Sequence, residues 1–297
     1  MPTVAELKAY LDDLVDRFER PAFIADDPIS IPHGFDDPRD QEVIGLYAAL
    51  LAWGRRQTVL NKMEELCERM DYAPFRFVRG FDPARDAAAL EGFKLPRIRR
   101  VIVAVIAADP VTANRTFQPI DAFWFTRNLS ATLARHGSVE NLFADHLPDD
   151  ADDAGAAIQG FSTTILSTTP KTPERLRKHL ARPKAGSACK RLNMYLRWMV
   201  RPGPVDLGIW TRITPDQLLL PLDVHAGRQA RALGLVERKS NDWKAVQRLT
   251  AACRRLAPDD PARYDFAFFG PGAHDVSLDA RFTGDNSVDL NSSPTPR

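Results

Sequence analysis

Cysteine is scarce. The chain of 297 residues holds three, Cys67, Cys189 and Cys253, scattered with no CxxC pair and no neighbouring histidine cluster. A zinc site or a four-cysteine iron–sulfur cluster needs more thiolates or closer ligands. A disulfide framework needs paired cysteines in an oxidising compartment. No metal and no cofactor is therefore expected. Long hydrophobic runs are absent too: none approaches the roughly 18 residues that span a bilayer. Residues 1–18, MPTVAELKAYLDDLVDRF, are acidic and amphipathic. They lack the basic start and apolar centre of a signal peptide, which predicts a cytoplasmic location with no membrane partner. Period-2 alternation between turn signals is rare, so strands are not expected. Net charge is only +1, so no overall excess of one sign points to a polyanion.

The charge that is present is segregated. Between Lys171 and Arg201 lie Lys171, Arg175, Arg177, Lys178, Arg182, Lys184, Lys190, Arg191, Arg197 and Arg201, against the single acid Glu174. A basic stripe of this kind suits phosphates, and in the bland reading is a solvated helix face.

Apolar spacing is helical nearly throughout. Residues 3–20 place Leu7, Leu11, Leu14, Val15 and Phe18 on one face. The proline-rich 21–38 reads as extended, 39–70 as two helices, and 96–135 as two more apolar helical stretches. Asp149 to Asp153 reads as an acidic loop. A short helix after 155 precedes a basic helix at 174–181 and another at 187–200, then helices through Leu235 and over 241–257. The Gly-, Ser- and Asn-rich 271–297 reads as a disordered tail. The expected fold is all-α and two-lobed, a helical domain over 1–270.

Segment 174–200 has the pattern of a helix-hairpin-helix. Gly186 permits a sharp bend, and Ser187 is the expected N-cap of the second helix. Such a hairpin offers backbone N–H groups and a helix N-terminus to a phosphate. Lys190 falls in that helix's first turn, with Lys184 and Arg191 close in sequence. The helix dipole and neighbouring cations favour a neutral amine, which attacks an electrophilic carbon. A lysine that merely contacts phosphate is the plainer reading. Asp223, after the apolar run 218–222, is an N-cap candidate for the helix beginning ValHisAlaGly. A carboxylate so placed also stabilises developing positive charge on a sugar.

GlySerAlaCysLysArgLeu at 186–192, followed by ProLeuAspValHis at 221–225, resembles the signature of the helix-hairpin-helix (HhH-GPD) DNA glycosylases. Residues 40–66 resemble that superfamily's first core helix and the polar turn after it, and 260–270 resembles the C-terminal end of a bacterial branch. The resemblance implies Lys190 as amine nucleophile and Asp223 as its carboxylate partner. It implies DNA contacts from Lys184, Gly186, Ser187, Arg191 and His225, and from Arg55, Arg56 and Gln57 in the wedge turn. Trp53, Trp198, Trp210, Phe266 and Phe269 are candidates to stack on an extruded base, with core burial the alternative for each. The implied activity is excision of an oxidised purine such as 8-oxoguanine from double-stranded DNA, with AP-lyase chemistry, by a monomer in the nucleoid. The rival expectations are a non-catalytic DNA-binding module and a helical protein-interaction domain.

Overall fold

The computed structural model describes residues 2–94, 117–274, 276–284 and 288. Its described secondary structure is helical, with two isolated β-bridges and no strand among the described residues. No helix there is long and apolar enough to cross a membrane. The two helical stretches expected within 96–135 are met in part: 119–136 is helical, and 95–116 lies outside the described residues.

The chain divides into two compact units. The first comprises Met1–Phe23, Leu147–Ile158 and Arg182–Arg297; the second comprises Ile24–His146 and Gln159–Ala181.

In the first unit, α1 (Val4–Phe18) opens with a capping box. The Glu6 amide donates to Thr3 Oγ1 at 3.2 Å and the Thr3 amide to Glu6 Oε2 at 2.7 Å. Two N–H groups that the helix leaves unmatched are thereby satisfied. The expected face is the buried one: Leu7, Leu11, Leu14 and Val15.

Residues 21–38, which pass from the first unit into the second at Ile24, are not simply extended as their prolines suggest. A 3₁₀ helix spans Pro21–Asp26, and α2 covers Ser30–His33. Proline disfavours helix interiors, yet it suits the first turn, where no N–H is required. The same logic starts α3 (Pro38–Leu51), α5 (Pro74–Arg79), α6 (Pro83–Leu90) and α7 (Pro119–His136), each with Pro in its first turn. α3 is buried from Glu42 to Leu51. Its one buried acid is matched: Glu42 accepts from the amides of Val139 and Glu140 at 3.1 and 3.3 Å, at the start of α8 (Val139–Ala144). α4 (Arg56–Arg69) follows α3 after a short turn. Asp121 on α7 is buried and chelated by Arg175 at 2.6 and 2.7 Å. α9 (Gly155–Ser167) contributes its first residues to the first unit and the rest to the second.

The remaining helices belong to the first unit: α10 (Lys190–Val200), α11 (Val224–Ala232), α12 (Trp243–Leu256) and α13 (Asp265–Ala273). α13 packs on both α1 and α11. Leu11, Leu222, Ala230, Leu249 and Phe268 join in the core between them. The expected disorder from 271 is corrected over 276–284. Phe282 is buried and stacks on Tyr10 with centroids 4.8 Å apart, and the Tyr10 hydroxyl accepts from the Asp279 amide at 2.9 Å. Aromatic burial outweighs the polar composition around it.

Candidate active site

The segment ahead of Lys190 is built from turns rather than a second α-helix. Residues 174–178 and 183–185 are 3₁₀ helices, which corrects the expected basic helix at 174–181. The two limbs of the supposed hairpin also fall in different units. Gly186 takes the left-handed conformation, φ 76°, the one place here where glycine's freedom is needed. Its carbonyl accepts from the Trp243 amide at 3.1 Å, and Ser187 bridges Asp242. The turn is thereby tied to the N-terminus of α12.

Ser187 is not the N-cap. Its hydroxyl accepts from the Cys189 amide at 3.2 Å, a local serine turn that competes with helix. Cys189 itself is left-handed, φ 49°, and the helix starts at Lys190. Asn193 reaches back to donate to the Ala188 carbonyl at 3.1 Å. The effect is to place Lys190 at the first helical position of α10 with its side chain half-buried. Its amine lies 3.5 Å from the Met194 sulfur.

Asp223 arrives at the same place from a different route. Leu218, Leu219, Leu220 and Leu222 are all buried, and the Leu220 amide donates to the Thr250 hydroxyl at 3.1 Å. That buried strap delivers Asp223 to the N-cap of α11, where Oδ1 accepts from the Ala226 amide at 2.9 Å. The backbone carbonyl of Asp223 accepts from Asn241 Nδ2 at 2.7 Å. The second carboxylate oxygen, Oδ2, faces the Lys190 amine at 4.0 Å, with the two side chains 29% and 25% exposed. Both groups are therefore reachable from solvent. A separation of 4.0 Å is an ion pair without a direct hydrogen bond. The N-termini of α10, α11 and α12 meet around this pair, and their partial positive charge favours anions.

Beyond Lys190, α10 carries Arg197 at i+7 on the same face, and Arg201 follows as the helix's C-cap residue. Both side chains are 4% exposed. Arg197 joins Asp206 at 3.2 Å and Asp265, and its guanidinium lies 4.3 Å from the centre of the Phe266 ring. Arg201 joins Asp206 at 2.6 Å, and Glu19 and Asp260 each at 2.9 Å. Burial pushes the Asp265 carboxyl up to about 6, against the pull of Arg197, and the charges of Asp223 and Lys190 reach it as well. Burial likewise pulls the Arg191 guanidinium down to about 10.

The other expected site residues divide. Lys184, Gly186 and His225 are exposed in the first unit. His225 lines a cleft of about 490 Å³ together with Arg228, Gln229, Pro271, Gly272 and Thr283. Arg191 is half-buried, which departs from the solvent-facing contact expected of it. Arg55, Arg56 and Gln57 are exposed at the start of α4, and Trp53 is half-buried before them; all four belong to the second unit. Three of the five stacking candidates are core: Trp198, Trp210 and Phe266 are 0%, 4% and 1% exposed. Burial of their large apolar area takes precedence over stacking on a ligand. Phe269 is half-buried, edge-on to Phe23 at 6.1 Å.

The basic stripe is also less basic in space than in sequence. Arg175 is bound to Asp121, Arg177 pairs with Glu174 at 3.1 Å, and Arg197 and Arg201 are buried among acids. Asp265 and Arg197 were missed as parts of the site. The available signal was the helical spacing of Lys190 and Arg197, with Arg201 just beyond and four acids at 206, 259, 260 and 265.

Compared with protein-family models, residues 27–274 match the one described as "Protein of unknown function (DUF2400)". No curated protein and no solved structure matches the chain.

Proposed function

The chain belongs to the DUF2400 family, and on the chemistry of its site we propose that it is a DNA glycosylase with AP-lyase activity, of the helix-hairpin-helix kind, acting on an oxidised purine. One observation carries the reading. An amine and a carboxylate from distant parts of the chain, Lys190 and Asp223, meet at 4.0 Å with both side chains open to solvent. An amine that is to reach a sugar carbon must be open to solvent with a carboxylate beside it, and this pair meets both conditions.

In this reading the damaged nucleotide leaves the stack, since its anomeric carbon is shielded within a duplex. The neutral amine of Lys190 attacks C1′. The bond from C1′ to the base breaks, and the base departs with the electron pair and takes up a proton. Asp223 Oδ2 carries the proton lost by the attacking nitrogen and offsets positive charge developing on the sugar. The ring then opens, O4′ gains a proton, and a protonated Schiff base joins Lys190 to C1′. Loss of a C2′ proton from this imine expels the 3′ phosphate. The N-cap bond to Ala226 fixes the carboxylate, leaving Oδ2 for this task. Lys184 and Arg228, exposed in the same unit, are the cations for backbone phosphates, and the exposed His225 ring is a further hydrogen-bonding contact beside Arg228.

The test is borohydride trapping on a duplex with a single oxidised purine. A covalent protein–DNA adduct is expected with the wild-type chain and none with Lys190→Ala. Salt-dependent binding with no adduct on any oxidised base would replace this reading with a non-catalytic DNA-binding module.

A further inference from the structure

We propose that Met194 is the positioning residue of the Lys190–Asp223 pair: its thioether, one helical turn beyond the lysine, holds the amine out of a contact ion pair with Asp223 and so leaves it free to turn to the sugar carbon. The inference rests on the function proposed above and deepens it.

The distances carry the argument. A lysine ammonium that meets a carboxylate unhindered closes to about 2.7–2.9 Å. The Lys190 amine stops 4.0 Å from Asp223 Oδ2. The acid is pinned at two points, through Oδ1 to the Ala226 amide at 2.9 Å and through its carbonyl to Asn241 Nδ2 at 2.7 Å. Lysine, in contrast, has a flexible four-carbon stem that could close the gap. Its amine donates instead to the Met194 sulfur at 3.5 Å, nearer than the acid although a thioether is the weaker acceptor.

Helical geometry explains the meeting. Met194 stands at i+4 from Lys190 on α10, so the two side chains share a face. α10 is buried from Leu192 to Val200, and Met194 is 8% exposed. Close packing fixes such a side chain, whereas the lysine side chain is 29% exposed. A methionine also suits the task chemically. Its sulfur is polarisable and uncharged, so it rests against the nitrogen without taking its proton. An amide or carboxylate oxygen at the same point would hold the amine more firmly.

Trace labelling of the full chain with acetic anhydride reads the amine without DNA, as the ratio of acetylated Lys190 to acetylated Lys239, an exposed lysine. Met194→Leu keeps the apolar volume and removes the sulfur. It is expected to lower that ratio about two- to fivefold, the size of a partly exposed ion pair. In an Asp223→Asn background the same exchange should change nothing, because no charge is left to capture the amine. Met199→Leu, a core exchange on the same helix, should leave the ratio at the wild-type value. The trapping rate at saturating DNA should fall in Met194→Leu together with the ratio, at an unchanged half-saturating concentration. Should Met194→Leu fail to fold, a chain grown with norleucine, in which CH₂ replaces each methionine sulfur, is read in the same way. An unchanged ratio, or a fall that persists without the Asp223 charge, overturns the proposal. A fall that needs Asp223, in a chain that never traps, overturns the glycosylase reading and keeps the role of Met194; trapping with an unchanged ratio does the reverse.

Discussion

Replacing Asp223 by asparagine, and separately by alanine, pulls apart the two tasks its carboxylate performs. Oδ1 caps α11 by accepting from Ala226 at 2.9 Å, and Oδ2 faces Lys190 at 4.0 Å. Asparagine keeps an oxygen for the cap and removes the charge; alanine removes both. An N-cap exchanged for alanine costs about 1 kcal/mol. The ion pair, with side chains 29% and 25% exposed, adds about 0.5 kcal/mol. Urea unfolding is therefore expected to place Asp223→Asn within about 0.5 kcal/mol of wild type and Asp223→Ala about 1.5 kcal/mol below it, at unchanged m. Trapping on oxidised DNA should fall in both variants, and by a similar factor of roughly 10² to 10⁴, because both lack the proton carrier. If asparagine destabilises as much as alanine, the cap argument is wrong. If asparagine traps at the wild-type rate, the carboxylate has no chemical role.

Two further expectations concern groups away from the reaction. Burial works to raise the Asp121 carboxyl, but hydrogen bonds from His179 and Arg175 overcome it and hold the group at about 2, from the usual 3.8. A lowered acid contributes stability that is present above the ordinary value and lost as pH falls through the folded one. Acid titration of the wild-type chain should thus remove about 2 kcal/mol between pH 4.5 and about 2, a loss that Asp121→Asn, already weakened at neutral pH, does not show; equal acid sensitivity of the two chains would refute it. All three cysteines are buried, and burial pushes the Cys67 and Cys189 thiols up to about 12. The folded chain at pH 8 should resist iodoacetamide and take up three labels only in denaturant; rapid labelling of Cys189 when folded would contradict its burial beside Lys190.

What the sequence discloses follows from how local each determinant is. The α1 face and the Asp223 cap depend on neighbours within a turn, and periodicity or capping chemistry reveals them; Pro38 and Pro119 also act locally, but as helix starts rather than the extended segment and interruption that proline content suggests. The start of α10 is harder. Ser187 has the right side chain for an N-cap, but its hydroxyl is taken by the Cys189 amide and Gly186 is tied to Trp243, partners that lie in a local turn and some 57 positions away. Charge misled for the same reason. Counting along 171–201 registers the cations but not Asp121, Glu19, Asp206, Asp260 and Asp265, which fold back onto them. The aromatic candidates show the limit of residue type alone. Trp198 and Phe266 are as suited to a core as to a base, and only packing distinguishes the two.

The central claim is that the Lys190 amine forms a covalent imine with a sugar carbon. Peptide mapping by mass spectrometry of the borohydride-reduced adduct tests it most directly. The account predicts that the deoxyribose-derived mass sits on Lys190 and that Lys190→Ala yields no adduct. An adduct located on another lysine, or on the terminal amine, would contradict it.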